Sequence, residues 1–144
     1  MNLLELARKP VTVREETSVL EATQKMAGKG VGSVEIVSET GGLLGIFTER
    51  DLMTRVVARR LPLQETPVGR VMTRAVATLH PFGSPEDALQ TMILRQIRHM
   101  PIVDSDSHLV GVLRFQDLFA NQIDSLGTEL DAVIARYTSD APGG

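Results

Sequence analysis

The strongest constraint on the fold is an internal repeat, because the second half of the chain matches the first at a fixed offset of 66 residues. Residues 12–52 align without a gap to residues 78–118. The identical pairs in this register include Thr12/Thr78, Ser18/Ser84, Ala22/Ala88, Met26/Met92, Ile36/Ile102, Val37/Val103, Leu43/Leu109, Gly45/Gly111, Asp51/Asp117 and Leu52/Leu118. Such a repeat indicates two copies of one supersecondary unit, each of which needs the other to bury its apolar face.

Local signals give the same element order, β-α-β-β-α, in each copy. Apolar, β-branched segments predict the strands, and turn residues separate the two strands of each hairpin. Ser18 with Glu21 forms a capping box, and Ser84 before Pro85 marks the corresponding helix start. The predicted strands are 11–13, 33–38 and 43–47 in the first copy and 75–79, 99–104 and 109–113 in the second, and the closing helices are 50–60 and 115 onward.

These elements predict an α+β fold in which the two repeats pack pseudo-symmetrically, sheet to sheet, around a shared core, with a C-terminal helix. Residues 1–66 are expected to hold the first repeat with its linker and residues 67–137 the second repeat with an extended helix. Residues 138–144 are expected to be a flexible tail. Segment 61–70, which contains Pro62 and Pro67, is predicted to be a linker that joins the two repeats within one compact unit.

Composition excludes several classes of function. A net charge of −3 and only five aromatic residues argue against nucleic-acid binding. The start of the chain lacks a signal sequence and no apolar run is long enough to span a membrane, so a cytoplasmic protein without a membrane partner is expected. The chain has no cysteine. His80, His99 and His108 have no nucleophile at a recognisable spacing and no glycine-rich phosphate motif occurs, so no catalysis is expected.

Three motifs carry a resemblance to a known family. Segment 45–52 reads GIFTERDL and joins the last strand of the first copy to its last helix. Segments 68–73 (VGRVMT) and 99–104 (HMPIVD) support it. Together they resemble a tandem pair of CBS domains, also called a Bateman module, whose signature is Gly-h-h-Thr/Ser-x-x-Asp, where h is apolar. The resemblance implies an effector such as AMP, ADP, ATP, S-adenosylmethionine or NAD in the cleft between the repeats, no catalytic cofactor, and regulation of an unknown client protein.

Within this signature, Thr48 and Asp51 are the central candidates. A carboxylate accepts two hydrogen bonds, which suits adjacent ribose hydroxyls, and a hydroxyl suits a phosphate. The alternative is a Thr-x-x-Asp capping box that any helix could use. In the second copy Asp117 recurs, but Arg114 replaces the threonine. Arg114 could bind a phosphate, fill the second site or form an ion pair with Asp117. The site with Asp51 is therefore expected to bind more tightly.

The other candidates come from the same resemblance. Arg98 and His99 match phosphate-contacting positions of the gamma subunit of AMP-activated protein kinase. In the alternative interpretation neither residue binds a ligand: Arg98 is a solvated residue at the end of a helix, and His99 is the end of a strand. The first copy departs from the family pattern at Glu35, which takes the place of Pro101. The full predicted ligand-binding set is Thr12, Thr48, Arg50, Asp51, Arg98, His99, Met100, Pro101, Arg114 and Asp117. No metal site is expected, because Asp104, Asp106 and His108 lie in a predicted turn where such residues serve the backbone.

An apolar stripe continues past the second repeat, at Phe119, Ile123, Leu126, Leu130, Val133 and Tyr137. Its spacing of four and three residues is typical of a helix that packs against another element. That element could be its own domain, a second copy or a client, and the family resemblance favours a homodimer. A competing interpretation of the whole chain is a structural dimerisation module with a vestigial cleft.

Overall fold

The computed structural model describes residues 2–139, apart from the side chains of Tyr137 and Ser139. The first repeat contains β1 (Thr12–Val13), α1 (Val19–Lys29), β2 (Ser33–Val37), β3 (Leu43–Thr48) and α2 (Glu49–Asp51), and α2 continues as a π-helix (Leu52–Val57). The second repeat contains α3 (Pro85–Arg95), β4 (His99–Val103), β5 (Leu109–Arg114) and α4 (Phe115–Ser139). Short 3-10 turns (Leu3–Glu5 and Val68–Arg70) precede the two repeats. The last residues of the predicted tail, 140–144, lie outside the described residues.

The predicted helix starts are confirmed. Ser18 Oγ accepts the Glu21 N–H at 3.1 Å, and Ser84 Oγ accepts the Asp87 N–H at 3.2 Å. These two bonds satisfy backbone donors that a helix leaves unpaired at its N-terminus, which fixes where α1 and α3 begin. The helix predicted at 50–60 differs, because it opens into the π-helix at Leu52 and regular helix does not reach residue 60.

The strand predicted at 75–79 is wrong. In the first repeat β1 runs parallel to β2, and the Glu35 N–H donates to the Val11 carbonyl at 3.0 Å. The residue equivalent to Glu35 is Pro101, which has no N–H to donate. Only an isolated bridge between Leu79 and Ile102 remains, so β4 and β5 form a two-stranded sheet beside the three-stranded sheet of the first repeat.

Each repeat is completed by the segment that precedes the other repeat. Thr73 exchanges two backbone hydrogen bonds with Ile46 of β3, at 3.0 and 2.8 Å. Arg8 makes the corresponding exchange with Val112 of β5, with both bonds at 3.0 Å. The chain therefore crosses between the repeats twice, and residues 8 and 73 cover the edges of β5 and β3.

Buried apolar side chains follow this crossing and form two clusters rather than the single shared core expected from the sequence. The cluster of the first repeat includes Val68, Val71 and Met72, from the segment before the second repeat. The cluster of the second repeat includes Leu3, which is fully buried although it lies at the start of the chain. The two repeats are thus held together by exchanged segments as well as by their facing surfaces.

The crossing predicts a glycine requirement at Gly45 in β3. A Cβ there would meet Met72 Sδ at 2.6 Å and the Thr73 carbonyl oxygen at 2.7 Å, so Gly45→Ala must displace the crossing segment. We expect a loss of about 1–3 kcal/mol in the free energy of unfolding, measured by urea denaturation. Gly28→Ala is the matched control, because Gly28 lies inside α1 and an added Cβ would meet no atom within 4 Å.

The control variant should gain about 0.5–1 kcal/mol, since alanine favours helix more than glycine does. Equal effects of the two substitutions would mean that the close approach of Met72 and Thr73 to β3 does not constrain the fold.

Candidate functional site

A cavity of about 450 Å³ lies between the two repeats. One wall comes from the end of β3 and the start of α2, and the other from the crossing segment 73–77 and the residues that join α3 to β4. The lining residues are Gly32, Ile46, Thr48, Glu49, Arg50, Asp51, Arg55, Thr73, Ala75, Val76, Ala77, Arg95, Gln96, Ile97, Arg98 and His99. Both repeats therefore contribute side chains to one cleft.

Thr48 and Asp51 form the capping box that is the alternative interpretation of this motif. The Asp51 N–H donates to Thr48 Oγ1 at 3.2 Å, and the Thr48 N–H donates to Asp51 Oδ2 at 3.0 Å. Asp51 Oδ1 also accepts the Thr73 hydroxyl at 3.4 Å and lies 3.6 Å from Arg55 Nε. Asp51 Oδ2 also lies 3.2 Å from the Thr48 hydroxyl, which donates to it. The buried carboxylate lines the cavity and has about four acceptor positions, three of which accept these hydrogen bonds, so one position remains for a ligand.

The structure brings together five of the ten predicted ligand-binding residues. These are Thr48, Arg50, Asp51, Arg98 and His99, and all of them line the cavity.

The other five predicted residues, Thr12, Met100, Pro101, Arg114 and Asp117, do not line this cavity. The Thr12 carbonyl in β1 accepts the Lys25 ammonium at 2.6 Å. Met100 and Pro101 are buried inside β4.

Arg114 and Asp117 form an ion pair with two hydrogen bonds, at 2.7 and 3.1 Å. Of the three roles considered for Arg114, this is the one observed. It also gives a structural reason for Asp117 to recur without a capping threonine, and that recurrence therefore no longer argues for ligand binding.

A second group of polar side chains lies at the start of β2. Arg8 Nη2 donates to Ser33 Oγ at 3.0 Å, and the Ser33 hydroxyl donates to Glu35 Oε2 at 3.0 Å. Glu35 is fully buried, and this burial raises its pKa from 4.5 to about 7, against the opposing effects of Ser33 and Arg8. Glu35 Oε1 and Arg8 Nε are buried without a hydrogen-bond partner.

His99 lines the cavity and is also affected by the charge of Arg8 in this group. Burial lowers the pKa of its imidazole from 6.5 to about 4, and the positive charges of Arg8, Arg114 and Arg98 act in the same direction. The ring is therefore neutral at pH 7 and can serve as a hydrogen-bond partner but not as a cation.

Sequence reasoning missed part of the cleft. Arg55 lies four residues after Asp51, a spacing that places the two side chains on one helical face and could have revealed their ion pair. Segment 73–77 and Arg95 gave no comparable signal, because their position depends on the crossing of the chain between the repeats.

Comparison with known proteins identifies the family. The CBS domain family model matches residues 4–58 and again residues 68–124. The chain belongs to the CBS domain family. The two matched segments coincide with the two repeats, which confirms the tandem arrangement and the α+β fold predicted from the sequence.

Relatives of several lengths contain this CBS pair. The CBS domain-containing protein YhcV of Bacillus subtilis is 39% identical over 121 residues, which cover 83% of this chain and 84% of YhcV. The Arabidopsis thaliana protein CBSCBSPB5 is 36% identical over 97 residues, which are 67% of this chain but only 18% of that protein. The chain thus spans less than a fifth of the length of the plant relative.

Two solved CBS structures resemble this chain closely. The CBS domain protein PAE2072 from Pyrobaculum aerophilum, solved in complex with AMP, has a TM-score of 0.74 and 28% identity, covering 81% of this chain and 89% of that one. The CBS domain pair of MJ0100, in complex with 5'-methylthioadenosine and S-adenosyl-L-methionine, has a TM-score of 0.75 and 25% identity, covering 83% and 98%.

The turn between β4 and β5 gathers Asp104, Asp106 and His108, with ligand-type atoms within 4.8 Å of one another. Asp104 Oδ1 accepts the backbone N–H groups of Asp106 and His108, each at 2.9 Å, which is the turn role expected from the sequence. Among residues 2–139, no helix combines the length and apolar character needed to cross a bilayer.

The buried Glu35 predicts a pH dependence of stability. Its pKa is raised in the folded protein, so between about pH 4.5 and 7 the folded state binds more protons than the unfolded state. The free energy of unfolding should therefore fall as pH rises through this window, relative to Glu35→Gln, by an amount on the order of a few kcal/mol. Urea denaturation of both proteins from pH 4 to pH 8 measures this difference.

The lowered pKa of His99 acts in the opposite sense. Between pH 6.5 and 4 the unfolded state binds more protons at this residue than the folded state, so its contribution to the free energy of unfolding falls as pH falls. Both proteins contain His99, so the difference between them isolates Glu35. If the difference in the free energy of unfolding between the native protein and Glu35→Gln does not change with pH, Glu35 is ionised in the folded protein as it is in the unfolded one.

Proposed function

We propose that the protein is a regulatory sensor that binds an adenosyl ligand in the cleft between its repeats and thereby modulates a partner protein. The observation that carries the proposal is that Thr48 and Asp51 of the first repeat share one cavity with Arg98 and His99 of the second. The cavity volume of about 450 Å³ lies in the range of small-molecule sites.

The solved relatives support the choice of ligand class. PAE2072 was crystallised with AMP and the MJ0100 pair with methylthioadenosine and S-adenosylmethionine, so both hold a compound that contains adenosine. The shared fold and the cleft support a ligand of the same class for this chain. The proposed activity is binding, without chemistry.

Each wall of the cleft has a proposed role. When the ligand binds, the Thr48 hydroxyl turns from Asp51 Oδ2 to donate to a ribose or phosphate oxygen, which frees Asp51 to accept hydrogen bonds from the ribose hydroxyls. The guanidinium of Arg98 pairs with phosphate, and neutral His99 offers a further hydrogen bond. The adenine would lie against apolar parts of the wall, which include Ile46, Ala75, Ala77 and Ile97.

Binding at the pseudo-equivalent position near Asp117 would require the Arg114 ion pair to open. That second site stays a prediction from the sequence, and so do the ligand-binding roles of Thr12, Met100 and Pro101. So do the cytoplasmic location and the absence of a nucleic-acid partner.

A melting screen with AMP, ADP, ATP, S-adenosylmethionine and NAD tests the proposal directly. A ligand present at 100 times its dissociation constant stabilises the folded state by about 2.7 kcal/mol. If none of these compounds raises the melting temperature, the cleft is not an adenosyl site.

Replacing the two related aspartates should give unequal results. Asp51→Ala removes an acceptor of ribose hydrogen bonds and should weaken adenosyl-ligand binding by about tenfold to a hundredfold. Asp117→Ala should leave that binding largely intact, since Asp117 does not line the cavity. Isothermal titration calorimetry of both variants with the best ligand of the screen measures this.

Asp51→Ala also removes a helix cap and should lower stability by about 1 kcal/mol. The melting temperature of each variant without ligand therefore serves as the control. If Asp51→Ala leaves ligand binding unchanged but lowers the melting temperature, Thr48 and Asp51 only cap a helix. If both substitutions weaken binding equally, the two sites are not unequal as proposed.

A second candidate function, a dimerisation module, is favoured by the exposed face of α4. Five apolar side chains of the predicted stripe are 46–61% exposed: Phe119, Ile123, Leu126, Leu130 and Val133. The sixth, the Tyr137 side chain, lies outside the described residues. Met53 and Val57 after Asp51 are also 60% exposed. We propose that a second copy covers these apolar side chains, with the helices that follow Asp51 and Asp117 in the contact.

The dimer should be visible by sedimentation at micromolar concentration. Leu126→Glu/Leu130→Glu places charges in the stripe and should yield a monomer, because the buried face would have to desolvate them. Thr128→Glu/Ala132→Glu adds the same charge to the opposite face of α4 and should leave the dimer intact. A monomeric native protein would contradict the proposal.

A further inference from the structure

The cleft carries an excess of positive charge. Four arginines line it, Arg50, Arg55, Arg95 and Arg98, against two carboxylates, Glu49 and Asp51. His99 adds no charge near pH 7, because its pKa lies at about 4. A ligand in this cavity therefore meets more cations than anions.

The four arginines differ in how they are used. Arg55 Nη1 donates to the Met72 carbonyl at 3.0 Å, and Arg50 Nη1 donates to the Gln96 carbonyl at 3.0 Å. The side chains of Arg95 and Arg98 are exposed and, within residues 2–139, make neither a hydrogen bond nor an ion pair. Two guanidinium groups on the wall of the second repeat are thus available to a ligand.

The first repeat has no cation at the position equivalent to Arg98, although Lys29 is the equivalent of Arg95. The position equivalent to Arg98 is Gly32, where a Cβ would meet Glu49 Oε1 at 3.0 Å and His99 Nε2 at 3.1 Å. A side chain at that position would therefore have to displace Glu49 and His99 slightly. Both of these available guanidinium groups therefore come from the wall of the second repeat, whereas Thr48 and Asp51 come from the first.

We propose that this cleft selects nucleoside di- and triphosphates over the monophosphate and discriminates against S-adenosylmethionine, with Arg95 and Arg98 as the residues that determine the choice. The inference rests on the proposed function, in which Asp51 holds the ribose. Phosphates beyond the first extend toward Arg95 and Arg98, whose planar forks match pairs of phosphate oxygens. S-adenosylmethionine carries a sulfonium and an ammonium group against a single carboxylate, so its net positive charge is repelled by these two cations even if the carboxylate pairs with one of them.

Calorimetry with ATP, ADP, AMP, adenosine and S-adenosylmethionine, at pH 7.5 without divalent cations, tests the order of affinities. We expect ATP and ADP to bind the native protein about tenfold to a hundredfold more tightly than AMP. Adenosine and S-adenosylmethionine should bind more weakly than AMP. Raising the salt concentration should weaken ATP binding more than adenosine binding, because salt screens exposed charges.

Arg95→Ala/Arg98→Ala should reduce the affinity for ATP to that for AMP and leave adenosine unchanged. Arg59→Ala/Arg70→Ala is the matched control, because it removes the same charge from two exposed arginines outside the cavity. It should preserve the preference for ATP. Arg95→Lys/Arg98→Lys should retain part of the preference, since the charge stays but the fork is lost.

Two results would overturn the inference while leaving the proposed function intact. One is equal affinity for ATP and AMP, or affinity for S-adenosylmethionine equal to that for ATP, in the native protein. The other is a loss of adenosine binding in the Arg95→Ala/Arg98→Ala variant as large as the loss of ATP binding. Failure of all five compounds to bind the native protein would instead contradict the proposed function itself.

Discussion

The crossed backbone pairing joins the outer strand of each repeat to the segment that precedes the other repeat. Without the bridges from Thr73 to Ile46 and from Arg8 to Val112, the outer edges of β3 and β5 would lack a backbone partner, a situation that folded proteins limit. The exchange also brings Leu3 and Met72 into the core of the opposite repeat. Because segment 73–77 then forms one wall of the cavity, the cleft exists only in the complete pair.

The parts of the fold that follow from neighbouring residues could be predicted from the sequence. Ser18 and Ser84 fix two helix starts through bonds to the third residue after them, and the hairpins follow from local strand and turn patterns. The error at 75–79 has a different origin. Whether that segment forms a strand depends on a donor twenty or more residues away, and Pro101 removes the donor.

The same distinction applies to the site. Thr48 and Asp51 can be predicted because they lie three residues apart in a recognisable Thr-x-x-Asp motif. The structure shows that they both cap a helix and line the cavity. Arg95 and segment 73–77 escape prediction because their place in the cleft results from contacts between the repeats. The sequence leaves three roles open for Arg114, and only the observed geometry, with two hydrogen bonds to Asp117, distinguishes them.

The backbone connects the cleft to the exposed helix. The Phe115 N–H, at the first residue of α4, donates to the Arg98 carbonyl at 2.8 Å, so the residue proposed to bind phosphate is bonded directly to the start of the helix that carries the apolar stripe. A ligand that shifts the backbone at Arg98 would also shift the start of α4 through this bond. Because a ligand shifts a conformational equilibrium only by its difference in affinity for the two states, a signal to a second copy or a client requires that α4 sit differently when Arg98 is engaged.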